Sequence, residues 1–144
     1  MKLSIITINY NHALGLEATI KSIVEQSIQD FEYIVVDGSK DGSVEVIEKY
    51  KEKISKAVSE PDSGVYNAMN KGIKLAKGEY LLFINSGDTL CETDTLEKVF
   101  SNPFTTDLIY GDLARIFPDG KTDLKVMPET IDMHFILYST LTHP

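Results

Sequence analysis

Three short polar clusters carry the side chains best suited to chemistry: Asn9-Tyr10-Asn11, Asp37-Gly38-Ser39 and Asn85-Ser86-Gly87-Asp88. Asp88 is a hard oxygen donor of the kind that holds a divalent cation against phosphate oxygens. Gly87 lets a backbone approach a diphosphate closely. Asp37 can accept hydrogen bonds from the N–H or O–H groups of a base or ribose. Plainer roles stay open on residue type alone. Asp88 and Asp37 also suit turns, Tyr10 suits a core, and Asn67 and Asn70 suit an exposed helix face.

Each cluster ends an apolar run, at residues 3–8, 31–36 and 80–84. Runs this apolar read as strands covered on both faces, and in a doubly wound parallel sheet their carboxyl ends share one edge, where ligands bind. Helices are expected between them. Leu16, Ile20, Ile23 and Val24 mark one helical face, and Val44, Ile47 and Tyr50 mark a short helix after the turn and cap residues Asp41-Gly42-Ser43. A less regular strand is expected over 54–59. A helix over 65–77 is expected to start at Ser63 as N-cap, to bury Val65, Met69, Ile73 and Ala76, and to end at Gly78 in a left-handed conformation. Further on, the pattern predicts a helix over 92–100 with Leu96, Val99 and Phe100 inward, a strand over 107–112, a hairpin over 115–127 around Pro118-Asp119-Gly120, and a helix over 129–141. Alternating strands and helices make this an α/β chain.

The chain has 144 residues, enough for one domain with a real core, and a net charge of −8. That charge argues against a broad grip on nucleic acid but leaves room for an anionic small molecule bridged by a cation. A lone cysteine, Cys91, rules out an internal disulfide and a cysteine-built zinc site. The N-terminal apolar run is too short and too interrupted for a signal peptide, and no stretch reaches the roughly 20 apolar residues of a membrane span. A cytoplasmic location is the expectation. His143-Pro144 does not read as a natural stop, so a fragment or early truncation is expected.

Four motifs recur in order: Ser4-Ile5-Ile6-Thr7-Ile8-Asn9-Tyr10-Asn11; Val35-Val36-Asp37-Gly38-Ser39-Lys40-Asp41-Gly42-Ser43; Asn70-Lys71-Gly72-Ile73-Lys74-Leu75-Ala76-Lys77-Gly78-Glu79-Tyr80; and Phe83-Ile84-Asn85-Ser86-Gly87-Asp88. With this spacing, residues 3–100 resemble the N-terminal, nucleotide-binding half of a family 2 glycosyltransferase of the GT-A fold. Ser59-Glu60-Pro61-Asp62-Ser63-Gly64-Val65-Tyr66-Asn67-Ala68-Met69-Asn70 resembles the branch that builds bacterial surface polysaccharides.

The resemblance implies a Rossmann-like, mostly parallel sheet flanked by helices and lacking its C-terminal portion. Residues 1–144 would form one nucleotide-sugar-binding domain, with 1–100 the nucleotide half and 101–144 the start of the acceptor side. Thr7, Asn9 and Tyr10 would line the base and ribose pocket, and Asp37 would accept from the base, usually uracil in this family. Ser39, Asn70, Ser86 and Gly87 would complete the nucleotide contacts. Asn85 to Asp88 occupies the metal-binding Asp-x-Asp position but departs from the commoner Asp-Ala-Asp-Asp, leaving Asp88 as the carboxylate for Mg or Mn. The implied reaction is inverting transfer of a sugar from a nucleotide diphosphate, a UDP-sugar by the family's habit, to an acceptor hydroxyl. The family's general base lies further along than residue 144, so no catalytic residue is assigned; nothing in spacing picks out Asp112 or Glu129. Saccharide or lipid-linked acceptors would bring such an enzyme to the inner face of the membrane as a peripheral protein.

Three other classes compete. A non-catalytic nucleotide-binding α/β module needs no general base. A receiver-type signalling domain wants an acidic cluster after the first strand, where Asn9-Tyr10-Asn11 stands. A nucleotidyltransferase wants a glycine-rich basic loop there, and Asn11-His12-Ala13-Leu14-Gly15 is not one.

Overall fold

The computed structural model describes residues 2–101 and 103–130. The chain divides into two compact units, Met1–Pro103 and Phe104–Pro144. In the first, β1 (Leu3–Asn9), α1 (Ala13–Val24), β2 (Phe31–Asp37), α2 (Ser43–Lys49), β3 (Lys56–Ser59), α3 (Val65–Leu75), β4 (Tyr80–Phe83) and α4 (Thr95–Phe100) follow one another. The four strands form one parallel sheet in the order β3-β2-β1-β4. The order reverses at β1, which pairs with β2 on one side and β4 on the other, so the switch point of the sheet lies at the β1 carboxyl end.

Strand alternation sorts the core into two layers. Leu3, Ile5, Tyr33 and Val35 pack with Leu16, Ile20 and Ile23 of α1 and Ile47 of α2. Ile6, Ile8, Ile34 and Val36 pack on the other face with Ala68 of α3. Burying each such side chain is worth about 1.5–3 kcal/mol. At the amino end of the sheet, buried Glu32 pairs with Lys56 at 2.9 Å and accepts from the Ser4 hydroxyl at 2.7 Å and the Lys77 N–H at 2.8 Å. Burial pushes the Glu32 carboxyl up, but the Lys56, Ser4 and Lys77 donors outweigh it and hold it below its usual range.

Several expectations change. β4 is an edge strand among the described residues, and its side chains are exposed or half-buried rather than covered on both faces. α3 buries Ala68 and Gly72, leaving Val65 and Ile73 48% and 43% exposed. The reason is closeness. A Cβ on Gly72 would stand 2.5 Å from Cγ2 of Ile6, so the smallest residues face β1. Gly78 has no positive φ; instead its Cα lies against the β1 backbone, where a Cβ would meet the Ser4 nitrogen at 2.5 Å. The N-cap of α3 is Gly64 (φ 116°), not Ser63, and its N–H donates to Asp62 Oδ1 at 2.8 Å. In α4, Leu96 is buried, Phe100 half-buried and Val99 exposed.

In the second unit, β5 (Leu113–Ile116) and β6 (Thr122–Lys125) form the expected antiparallel hairpin. Residues 107–112 are not a strand; the Asp112 carboxylate instead accepts from the Met127 N–H at 2.9 Å. The expected helix over 129–141 lies outside the described residues beyond 130, as does His143. No helix among the described residues is long and apolar enough to cross a membrane.

Candidate functional site

A cavity of about 540 Å³ opens at the carboxyl edge of the sheet, beside the switch point. Ile8, Asn9 and Tyr10 enter it from β1, His12 from the start of α1, Asp62 to Val65 from the loop and first turn of α3, and Asn85 and Ser86 from the end of β4. Four of the residues singled out in the sequence, Asn9, Tyr10, Asn85 and Ser86, therefore share its wall, while Gly87 and Asp88 of the same cluster are not among its lining residues. Tyr10 is 71% exposed, a rim aromatic and not a core one.

Asp37 does not line the cavity. It is fully buried and its oxygens are taken by Asn9 Nδ2 (2.8 Å), the Ser39 N–H (3.2 Å) and the Ser59 hydroxyl (2.8 Å). Asn9 Nδ2 also meets the hydroxyls of Ser39 (2.9 Å) and Ser43 (2.8 Å). Ser39 in turn accepts from the Asn11 N–H at 2.7 Å. Asp41 accepts from the Ser43 N–H and hydroxyl and, with its other oxygen, from the Ala13 N–H, capping both helices at this edge. These groups form a polar knot under the cavity. Thr7 sits deeper still: fully buried, it accepts from the Tyr33 phenol at 3.1 Å. Asn70 is exposed on α3 and is not part of the cavity wall.

Asn85 to Asp88 form a tight turn, closed by the Asp88 N–H donating to the Asn85 carbonyl at 2.9 Å. Gly87 has φ 100°, the conformation a type II turn requires at its third residue. Asp88 is half-buried, its carboxyl is pushed up by burial, and no hydrogen bond to that carboxylate is formed among the described residues. Among the described residues, Asn85 Oδ1 in the same turn is buried without a hydrogen-bond partner. The Asp88 carboxylate and Asn85 Oδ1 are oxygen donors of the type a hard cation takes. Among the described residues no three His, Cys, Asp or Glu side chains cluster as a metal cage. The donor set therefore suits an ion that keeps most of its shell from phosphate oxygens and water, as Mg²⁺ does.

The sequence reading missed His12 and Asp62 as cavity residues and placed Ser63, which also lines the cavity, only as a helix cap. The His12 ring packs over Gly15 and Gly87, where added Cβ atoms would stand 2.2 Å and 3.0 Å from it. Asp62 Oδ2 lies 2.6 Å from the position of a Cβ on Gly38, which Tyr10 also approaches. The signal was present in the glycines: each marks a place where a cavity side chain crosses the backbone. A cavity with an aromatic rim, small polar walls, a helix N-terminus and an oxygen-bearing turn can hold an anionic ligand together with a divalent cation.

Over residues 4–141 the chain matches the family described as Glycosyl transferase family 2. It is 38% identical over 117 residues to the PGL/p-HBAD biosynthesis glycosyltransferase of Mycobacterium bovis, covering 76% of this chain and 46% of the relative. The chain thus spans less than half the length of that curated relative. Among solved structures it is similar to S. aureus TarS 1-349 in complex with UDP-GlcNAc (TM-score 0.65, 29% identity, 70% of this chain and 30% of that one). It is also similar to the Pyrobaculum calidifontis mannosyltransferase PcManGT in complex with GDP-Man and Mn²⁺ (TM-score 0.61, 27% identity, 66% and 30%). The GT-A neighbours and the parallel four-stranded sheet agree on the fold expected from the sequence.

Proposed function

The chain belongs to glycosyl transferase family 2, and from that we propose that it is the nucleotide-sugar-binding part of an enzyme that transfers a sugar from a nucleotide diphosphate to an acceptor hydroxyl in surface-glycan synthesis. Membership removes the receiver and nucleotidyltransferase alternatives. The observation that carries the reading is the convergence of Asn9, Tyr10, Asn85 and Ser86 on one cavity at the switch-point edge, large enough for a nucleotide, with Gly87 and Asp88 following Ser86 in the same turn.

The base lies against the exposed Tyr10 ring, between it and the α3 loop. The polar knot of Asn9, Asp37, Ser39 and Ser43 keeps the β1 and β2 ends rigid beneath it, so Asp37 acts through Asn9 rather than on the base. The diphosphate faces Ser86, Gly87 and the N-terminal end of α3, whose dipole favours negative charge. Asp88 and Asn85 Oδ1 would hold a Mg²⁺ or Mn²⁺ ion, which would supply positive charge to a leaving diphosphate. The two neighbours with UDP-GlcNAc and with GDP-Man and Mn²⁺ support a nucleotide-sugar donor and a cation. Inversion at the sugar, a uracil base, and a saccharide or lipid-linked acceptor follow the family resemblance. A peripheral enzyme at the cytoplasmic membrane face fits such acceptors.

A thermal-shift panel of UDP, GDP, dTDP and CMP, with and without Mn²⁺, tests the reading. A ligand at 100 times its Kd stabilises by about 2.7 kcal/mol. Stabilisation by one nucleotide diphosphate in the presence of Mn²⁺ is expected; no stabilisation by any of the four refutes it.

A further inference from the structure

Thr19 lies in the middle of α1, fully buried, and its hydroxyl reaches out of the helix into the Asn85–Asp88 turn. It donates to the Asp88 carbonyl at 2.7 Å and accepts from the Gly87 N–H at 2.9 Å. The Gly15 carbonyl (3.0 Å) and the Asn85 carbonyl (3.3 Å) compete more weakly for its single proton. The Gly87 N–H belongs to the central peptide of the turn, the group that decides which way that peptide faces. One hydroxyl therefore grips the turn at the peptide plane before Gly87 and at the residue that carries the carboxylate. Below it, Ser22 accepts from the Leu90 N–H (3.3 Å), and Gln26 donates to the Glu92 carbonyl (2.7 Å) and accepts from the Leu96 N–H (3.0 Å). Thr19 and Ser22, at i and i+3 on α1, and Gln26, just past its C-terminal end, fasten the chain from 85 to 96.

We infer that Thr19 is a positioning residue for the cation site: its hydroxyl holds the Asn85–Asp88 turn so that the Asp88 carboxylate and Asn85 Oδ1 present together to a divalent cation on a nucleotide diphosphate. This rests on the nucleotide-sugar reading above. Groups that orient metal ligands from behind are typically worth roughly 10- to 100-fold in metal affinity. Valine at 19 keeps the volume of threonine but leaves the Gly87 N–H without its acceptor. Serine keeps the hydroxyl. Ser22→Ala removes a comparable α1 contact one turn further on, outside the Asn85–Asp88 turn.

The test titrates Mn²⁺ into the chain with saturating UDP or GDP, for wild type, Thr19→Val, Thr19→Ser and Ser22→Ala. Thr19→Val is expected to weaken the Mn²⁺ dependence of nucleotide binding roughly 10- to 100-fold, with Thr19→Ser close to wild type and Ser22→Ala unchanged in this respect. A Thr19→Val effect no larger than that of Ser22→Ala, or a serine variant that behaves like the valine one, overturns the inference. Hydrogen exchange of the Gly87 amide in the wild type decides the matter if Thr19→Val does not fold. Gly87 is exposed, so slow exchange of its N–H supports the Thr19 bond and exchange at the unprotected rate overturns it. If wild type binds neither nucleotide, the underlying nucleotide-sugar reading fails first and takes this inference with it; wild-type binding with an indifferent Thr19→Val sinks only the inference.

Discussion

Asn9 and Asp37 are paired in register across β1 and β2, and the Asn9 amide donates to the Asp37 carboxylate at 2.8 Å. The bond joins the carboxyl ends of the two central strands and turns the Asp37 carboxylate away from the cavity. The Asp37 carboxylate, whose type suits a nucleotide contact, is engaged here by Asn9, Ser39 and Ser59.

Asp37→Asn is expected to destabilise the chain by about 1–3 kcal/mol, because an amide cannot accept at both positions from Asn9, Ser39 and Ser59. Urea unfolding measures the loss. Nucleotide affinity of the folded fraction is expected to fall much less. Unchanged stability with abolished binding would instead make Asp37 a direct ligand.

Asp88→Asn is expected to separate function from stability. Burial raises the Asp88 carboxyl, so the folded state binds the proton more tightly than the unfolded one. Stability from this group is therefore lost as pH rises from its unfolded value through its raised folded one. Without cation at neutral pH the variant should be as stable as wild type or more so, yet lose cation-dependent nucleotide binding. Thermal melts with and without UDP and Mn²⁺ read both effects; a variant that melts earlier in the absence of ligand argues for a structural role.

Glu32 has the opposite sign. Its carboxyl is held low, so its contribution is present above the unfolded carboxyl range and is lost as pH falls through the lowered folded value. Glu32→Gln should flatten the acid limb of the stability profile and leave nucleotide binding intact, since the residue sits at the far end of the sheet. Lys56→Met, which leaves Glu32 Oε1 without its cation while Oε2 keeps the Ser4 and Lys77 donors, should cost about 1–3 kcal/mol. Urea midpoints between acid and neutral pH check both.

The sheet was readable from its apolar runs because a parallel strand covered on both faces is apolar at most positions, and β1 and β2 are so covered, with Ser4, Thr7 and Glu32 as the polar exceptions inside them. α3 was harder. Of the expected apolar face, Met69 and Ala76 do pack, half-buried, against the core, but Val65 and Ile73 do not, because contact distance with β1 favours Ala68 and Gly72 and periodicity carries no information on how close two elements come. Of the cavity wall, Asn9, Tyr10, Asn85 and Ser86 were legible in the sequence because polar residues after an apolar run mark a strand end. The inward turn of Asp37 and the partnership of Thr19 with residues 87 and 88 depend on contacts between distant segments, which spacing does not encode.

The packing of α3 gives a further expectation. Gly72→Ala should destabilise by about 1–3 kcal/mol through overpacking against Ile6, although alanine favours a helix by about 1 kcal/mol. Ile73→Glu, on the exposed side, should stay within about 0.5 kcal/mol of wild type. Thermal unfolding that ranks the two the other way would return Ile73 to the buried face.

The most direct measurement is paramagnetic broadening of the backbone amides by Mn²⁺ in the presence of UDP or GDP, with Mg²⁺ as the diamagnetic control. A nucleotide-bound cation in the cavity predicts broadening centred on residues 85–88, falling off through 9–12 and 62–65, and absent without nucleotide. Broadening centred elsewhere, or the same with and without nucleotide, would contradict a nucleotide-sugar site at this edge of the sheet.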